Sequence, residues 1–403
     1  MDHYDENNIL NDVQHGFRPG HSCETQLIIT SQDVAHSLDQ KEQVDAVALD
    51  FSKAFDRVPH NRLLHKLHHY GIHDNLIRWI RVFLIERLQR VVVDGESSEW
   101  VPVTSGVPQG TVLGPLLFIS FINDIVDGIS SKIRLFADDC LLYRPITDVT
   151  DSQALQQDLN RLHSWANTWQ MKFNTEKCYH ITFSLRRKAI TTTYTLGDTP
   201  LALVTDLRYL GLTFSSNLSW QGHMNNITSR ANRMLGLVSR NLRKTSQKIR
   251  QQAYFSLVRP HLEYCCSVWN PHTNKHISKI EAVQRRAARF TLQRYRRMAS
   301  VSAMIQHLKW ESLERRRNAA SLHLMYKIQN NTVAINAHHY TAPMIASNTR
   351  QYHSKKLLAI PSRTQLYQNS FFPRTVTAWN ALSKITLDAT SLEGFKGALP
   401  PSI

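Results

Sequence analysis

What most restricts the possible folds of this chain is a stretch of eleven residues in which acids interrupt two apolar runs. Ile133-Arg134-Leu135-Phe136 and Cys140-Leu141-Leu142-Tyr143 flank Ala137-Asp138-Asp139. Short runs of branched and aromatic side chains around turn-forming residues predict a β-hairpin with both carboxylates at its tip. Adjacent carboxylates repel each other, and holding them beside apolar strands is costly unless a cation neutralises them. A second β-type run, Val44 to Phe51, contains another acid at its end, Asp50. An Asp-Asp pair alone reads as a turn; Asp50 and the flanking strands make it a candidate site. Oxygen-only ligation by three carboxylates suits a hard divalent ion, Mg2+ or Mn2+. Two such ions about 4 Å apart can serve an in-line phosphoryl displacement.

Around this hairpin, short β-type and helical segments alternate. Leu27, Ile28, Val34, Ala35 and Leu38 predict a helix from Cys23 to Leu38. Residues 59–88 read as helical, 112–129 as a helix, and 152–169 as a helix with a polar face. Arg90–Val93 and Trp100–Val103 predict a hairpin turning through Asp94-Gly95. Further β runs fall at 180–183 and 210–214. The alternation predicts a layered domain, and the fold class expected is α+β. Beyond about residue 220 the segments 223–242, 246–259, 276–293 and 310–329 read as basic amphipathic helices. The last seventy residues, polar and broken by Pro343, Pro361, Pro373, Pro400 and Pro401, show no readable periodicity.

Charge separates the two halves. Residues 1–200 carry 19 Lys and Arg against 25 Asp and Glu, and residues 201–403 carry 29 against 7, for a total of +16. A surface that sits against phosphate requires such an excess, because each cation placed on a phosphate releases a condensed counterion. The second half is therefore expected to bind a polyanion. Five scattered cysteines make no disulfide framework. The longest apolar run, 112–122, is about half a bilayer span, and no signal peptide is visible. A soluble intracellular protein of the nucleus or cytoplasm is expected, with no membrane association. Cys265-Cys266 near His261, His272 and His276 are adjacent rather than spaced as zinc ligands are, and no zinc site is expected.

The residues also carry a family resemblance. Phe136-Ala137-Asp138-Asp139 resembles the F/YADD box of reverse transcriptases from non-LTR, LINE-type retrotransposons of the jockey or CR1 kind. Ala48 to Asp56 resembles the first palm motif, and Ser105 to Pro115, with Gln109-Gly110 inside it, the Gln-Gly motif. Gln14 to Ser22 resembles a fingers motif, Asn174 to Lys177 the fourth palm motif, and Tyr209-Leu210-Gly211 the primer-grip strand. All six stand in the family's order. Arg259 to Tyr264 and Ser370 to Arg374 are similar to the distal part of such open reading frames.

The resemblance implies a right-hand polymerase palm with partial fingers over 1–220, a helical thumb over 221–325 and a polar, basic C-terminal region over 326–403. It implies an RNA-directed DNA polymerase that joins dNTPs to a DNA primer on an RNA template with two Mg2+ ions, Mn2+ serving as well. Asp50, Asp138 and Asp139 would be the metal ligands, helped by the Phe51 carbonyl. Phe55 matches the steric-gate position, where a ring under the incoming sugar clashes with a 2′-hydroxyl. Gln109 would position template and incoming base, Gly110 would allow close backbone approach, and Lys177 would act as general acid or charge partner for pyrophosphate. Arg18 would reach the triphosphate. Taken singly, Phe55 reads as core, Gln109-Gly110 as a loop and Lys177 as a surface lysine; their shared order is what assigns them.

In the basic half, Arg230, Arg233, Arg240, Arg243, Lys244, Lys248 and Arg250 interleave with Met234, Leu235, Leu237 and Val238. That pattern fits helices holding a nucleic-acid backbone, with Tyr209, Leu210 and Gly211 beside the primer. A second run, Arg285, Arg286, Arg289, Arg294, Arg296 and Arg297, surrounds Phe290 and Tyr295, rings that either stack on unpaired bases or fill the core. Only thirteen residues precede Gln14, so an N-terminally truncated copy is expected. The alternative function is a catalytically impaired remnant that only binds nucleic acid. No protein partner is deducible.

Overall fold

The acid-ended run becomes the middle strand of a sheet. In the computed structural model, which describes residues 2–296, 298–344 and 353–400, five strands are β1 (Gln43–Leu49), β2 (Lys132–Phe136), β3 (Asp139–Ile146), β4 (Tyr179–Phe183) and β5 (Ala202–Val204). Their order is β5-β4-β1-β3-β2. Only β5 and β4 run parallel; β1 pairs antiparallel with both β3 and β4. Six of the seven β1 residues are buried, as expected of a strand covered on both faces.

Two compact units comprise Met1–Gln26 with Lys41–Leu207, and Leu27–Gln40 with Arg208–Ile403. In the first unit the helix Val149–Trp169 packs on β3 and buries Leu155, Leu159, Leu162 and Ala166, spaced by three or four residues. Each buried leucine contributes about 1.5–3 kcal/mol of transfer free energy. The helix Leu113–Ile122 is almost wholly apolar and buries Leu117, Phe118, Ile119, Phe121 and Ile122. It is shorter than the expected 112–129 stretch, closing in a 3₁₀ turn at Asn123–Val126.

The stretch 59–88 is helical in two pieces. It forms helices His60–His69 and Asp74–Leu84, broken where Gly71 takes φ +74° and His73 caps the second helix through its Nδ1, which accepts from the Asn75 N–H. The 90–103 hairpin turns at Asp94 and Gly95, both left-handed, with paired strands of two residues each.

Helices Gln221–Asn241, Asn274–Leu292 and Leu313–Gln329 form the body of the second unit. The described C-terminal residues form more helix than their polarity implies. Helix Phe371–Asn380 buries Phe371, Phe372 and Trp379, and helix Leu392–Ala398 buries Phe395 against Trp379, ring centroids 5.6 Å apart. Arg374, at the end of the Ser370–Arg374 motif, donates to the carbonyls of Ser267, Asn270 and Asn369. Pro401 and Arg297, named above, lie outside the described residues.

Candidate active site

Strand register brings two of the acids together. Leu49 of β1 faces Cys140 of β3, so the next residue on each strand brings Asp50 and Asp139 to the same end of the pair, where Asp50 acts on the Asp139 carboxyl. Phe136 pairs with Asp139, leaving Ala137-Asp138 as the two-residue tip of the β2–β3 hairpin. The three carboxylates feel one another. Desolvation raises the Asp138 carboxyl, and Asp50 adds to the rise. Desolvation, then Asp138 and Asp50, push Asp139 up to about 6.

Backbone pairing beyond β1 orients a fourth oxygen. Asp50 accepts from the Asn174 N–H at 2.7 Å, and the Ser52 N–H donates to Lys172 at 2.8 Å, around a bridge between Phe51 and Phe173. Antiparallel geometry then turns the Phe51 carbonyl to the opposite side, the side of β3. The Asp50 N–H rests on the Cys178 Sγ at 3.4 Å, and Lys177 Nζ stands 3.8 Å from the Asp50 carboxylate. Among the described residues no three His, Cys, Asp or Glu side chains are already gathered at ligand distance. The carboxylates are neighbours rather than a closed cage. Their oxygen-only donors and the mutual repulsion felt at Asp138 and Asp139 nevertheless fit hard divalent cations.

Next to the acids, the helix Ala54–Arg57 carries Phe55, half-buried and stacked on Phe118 at 4.2 Å, with Phe17 edge-on at 6.2 Å. The Gln-Gly loop is stitched to this helix. Val107 N–H donates to the Phe55 carbonyl, Gly106 N–H to Val58, and Ser105 Oγ to Asp56, each at 2.8 Å. Gly106 is required: at φ +90° a Cβ would stand 2.8 Å from the Asp56 backbone. Gln109 Nε2 donates to Asp56 Oδ1 at 3.1 Å, and Gly110 leaves open space beside it. A cleft of about 650 Å³ runs from Lys53 and Asp56 past Arg87 to Gly106 and Gln109.

Arg18 is engaged locally. Its guanidinium donates to the Asn11 carbonyl at 2.7 Å and the Gln14 carbonyl at 3.4 Å, and stands 3.7 Å from Asp12. In the second unit, Leu210 and Gly211 are the left-handed turn between strands Asp206–Tyr209 and Leu212–Ser215, and Tyr264 Oη donates to the Leu210 carbonyl. Arg230, Arg233, Arg240, Arg243 and Lys244 are all exposed. One basic-half reading needs correction, and the open choice for Phe290 is decided for the core. Arg250 is buried, donating to the Thr291 carbonyl, and Phe290 is 3% exposed and packed in the core, so neither presents itself to a ligand. Tyr295 is exposed.

Sequence reasoning missed three contributors. Cys178 supports the Asp50 backbone. Asp56 receives Gln109. Asp158, fully buried on the helix Val149–Trp169, accepts from Ser130 and Ser131 at the entry to β2. Asp158 belongs to the helix's buried residues, where an unpaired carboxylate is unfavourable; that mismatch was the available signal.

Residues 2–214 match the family model described as reverse transcriptase (RNA-dependent DNA polymerase). The chain belongs to that family. It is 31% identical over 290 residues to the RNA-directed DNA polymerase from mobile element jockey of Drosophila melanogaster, a match covering 68% of this chain and 31% of the relative. It is 29% identical over 293 residues to the probable RNA-directed DNA polymerase from transposon X-element of the same organism, again covering 68% and 31%. The matched stretch thus spans about a third of these relatives' length. Among solved structures, apo telomerase from Candida tropicalis aligns over 76% of this chain and 50% of its own at 12% identity, with a TM-score of 0.40. Among the described residues no helix is long and apolar enough to cross a membrane.

Proposed function

We propose that this chain is an RNA-directed DNA polymerase of a non-LTR retrotransposon, joining dNTPs to a DNA primer 3′-hydroxyl on an RNA template. The single observation that carries the reading is the register that brings Asp50 and Asp139 to the same end of the β1–β3 pair, beside the Asp138 tip. Similarity to polymerases of jockey-type elements agrees with it. In this reading the first unit is the palm with part of the fingers. The second unit supplies the helical thumb and the C-terminal region.

Asp50, Asp138, Asp139 and the Phe51 carbonyl would hold two divalent ions, Mg2+ or Mn2+. When bound, such ions make the primer hydroxyl more acidic and stabilise charge on the departing pyrophosphate. The chain's own side chains do the rest. Phe55, held by its stack on Phe118, forms a floor that a 2′-hydroxyl would strike. Gln109, held by Asp56, meets the template and incoming base across the open space at Gly110. Lys177, now beside Asp50, supplies positive charge for pyrophosphate and a proton on its departure. Exposed Arg230, Arg233, Arg240, Arg243 and Lys244 take the phosphate backbone, and Leu210-Gly211 turn beside the primer.

The test is primer extension on an RNA template with purified protein and Mg2+, wild type beside Asp138→Asn. Extension by the wild type with at least a hundredfold loss in the variant supports the reading. No extension by the wild type, with nucleic-acid binding retained, makes the chain a binding remnant instead.

A further inference from the structure

The carboxylate hairpin turns through Ala137 at φ +52°, a left-handed conformation that strains an alanine and that glycine adopts freely. A side chain 123 residues upstream meets it there. Gln14 is 1% exposed. Its Oε1 accepts from the Ala137 N–H at 2.9 Å and from the Gly16 N–H at 2.7 Å, and its Nε2 donates to the Ala137 carbonyl at 3.5 Å. One amide group thus grips both polar groups of the strained residue.

The backbone delivers that grip. Leu135 N–H donates to the Val13 carbonyl at 3.0 Å and His15 N–H to the Leu135 carbonyl at 2.8 Å, so residues 13–15 run parallel beside β2, the edge strand. Gly16 then lets the segment close on the tip: a Cβ there would stand 2.3 Å from the Ala137 nitrogen. Asp138 follows Ala137 directly, so the torsion held by the clamp sets the direction in which the Asp138 carboxylate leaves the turn.

We propose that Gln14 is a positioning residue of the active site, clamping Ala137 in its left-handed turn so that Asp138 faces Asp50 and Asp139. The proposal rests on the reading of those three carboxylates as the divalent-ion site. A side chain that orients a ligand is worth roughly tenfold or more in metal affinity or rate. Removing the Gln14 acceptor frees the turn, whereas glycine at 137 accepts the same torsion without being held. Substitution at 137 should therefore restore Mn2+ binding lost at 14, and binding that returns while thermal stability stays reduced separates positioning from a purely structural role.

The experiment uses the full chain and two readouts: Mn2+ binding followed by electron paramagnetic resonance without turnover, and single-nucleotide incorporation. Gln14→Leu removes the amide; Gln14→Asn keeps it but shortens its reach by one methylene and guards against a fold lost to the bulkier change. Each is expected to weaken Mn2+ binding about tenfold and slow incorporation at least tenfold. Ala137→Gly in the Gln14→Leu background is expected to bring Mn2+ binding back to within about threefold of wild type, with thermal stability still reduced. Folded Gln14 variants that bind Mn2+ and turn over as the wild type does would overturn the proposal while leaving the ion site standing. Equal loss in Gln14→Leu with and without Ala137→Gly would also overturn it. Wild type that binds no more Mn2+ than Asp138→Asn would remove the ion site itself, and the proposal with it.

Discussion

Asp158→Asn separates the scaffold of the hairpin from its chemistry. The Asp158 carboxylate is fully buried, yet it accepts from the Ser130 and Ser131 N–H groups at 3.1 and 2.7 Å, from Ser130 Oγ at 2.9 Å and from Arg161 at 2.7 Å. These bonds anchor the loop that starts β2. An asparagine keeps one acceptor and turns an NH2 group towards donors, so at least one charge-assisted bond is lost and a donor is left unpaired. Bonds to charged groups are worth about 1.5–3 kcal/mol, and we expect a loss of about 2–3 kcal/mol. For a unit of about 190 residues that lowers Tm by about 5–10 °C.

The pH dependence has a definite sign. Desolvation pushes the Asp158 carboxyl up, but the hydrogen bonds from Ser131 and Ser130 outweigh it and hold the group below its ordinary value. A depressed carboxylate gives stability that is present above its unfolded pKa and lost as pH falls through the folded one. Urea denaturation followed by circular dichroism at pH 7 and at pH 2–3 checks both parts. The gap between wild type and variant should be largest at pH 7 and shrink on acidification. A gap below about 0.5 kcal/mol at pH 7, smaller than one ordinary hydrogen bond, or one that does not change with pH, would refute the reasoning.

Three further outcomes are expected. Phe55→Ala should raise incorporation of ribonucleotides relative to deoxynucleotides by about tenfold or more, since discrimination by clash disappears with the ring; single-nucleotide kinetics with matched rNTP and dNTP pairs measure it. Gly106→Ala, meeting the Asp56 backbone at 2.8 Å and φ +90°, should destabilise the first unit by about 1–3 kcal/mol and raise KM for dNTPs, readable from thermal melts and steady-state kinetics. Arg230→Gln with Arg233→Gln, both on the exposed face of the helix Gln221–Asn241, should reduce the slope of log affinity against log salt by about 2 without altering sequence preference. Fluorescence anisotropy on two unrelated template–primer sequences reads both.

Much of this molecule was legible in one dimension. Apolar runs bounded by acids located β1 and the β2–β3 hairpin, because strand burial is written in consecutive side chains and turn chemistry in the residues between them. Helical spacing placed Cys23–Asp39, Gln221–Asn241 and Asn274–Leu292 within a residue or two of their observed ends. The tail escaped because its helices, four to ten residues long, are shorter than the window in which periodicity shows. Phe290 was ambiguous because the same ring at helical spacing serves a core or a base.

Chain order alone therefore singled out the candidate acids and the kind of element that carries each. Only the tertiary structure decided their company. Register across β1 and β3 set Asp50 beside Asp139, and a buried amide from residue 14 came to rest on the Ala137 peptide. Lys177 stands beside Asp50, and Arg18 is engaged by neighbouring carbonyls. The physical reason is that pairing and close approach depend on which backbone groups remain unsatisfied once the sheet has formed, and such groups seek partners across the fold rather than along the sequence.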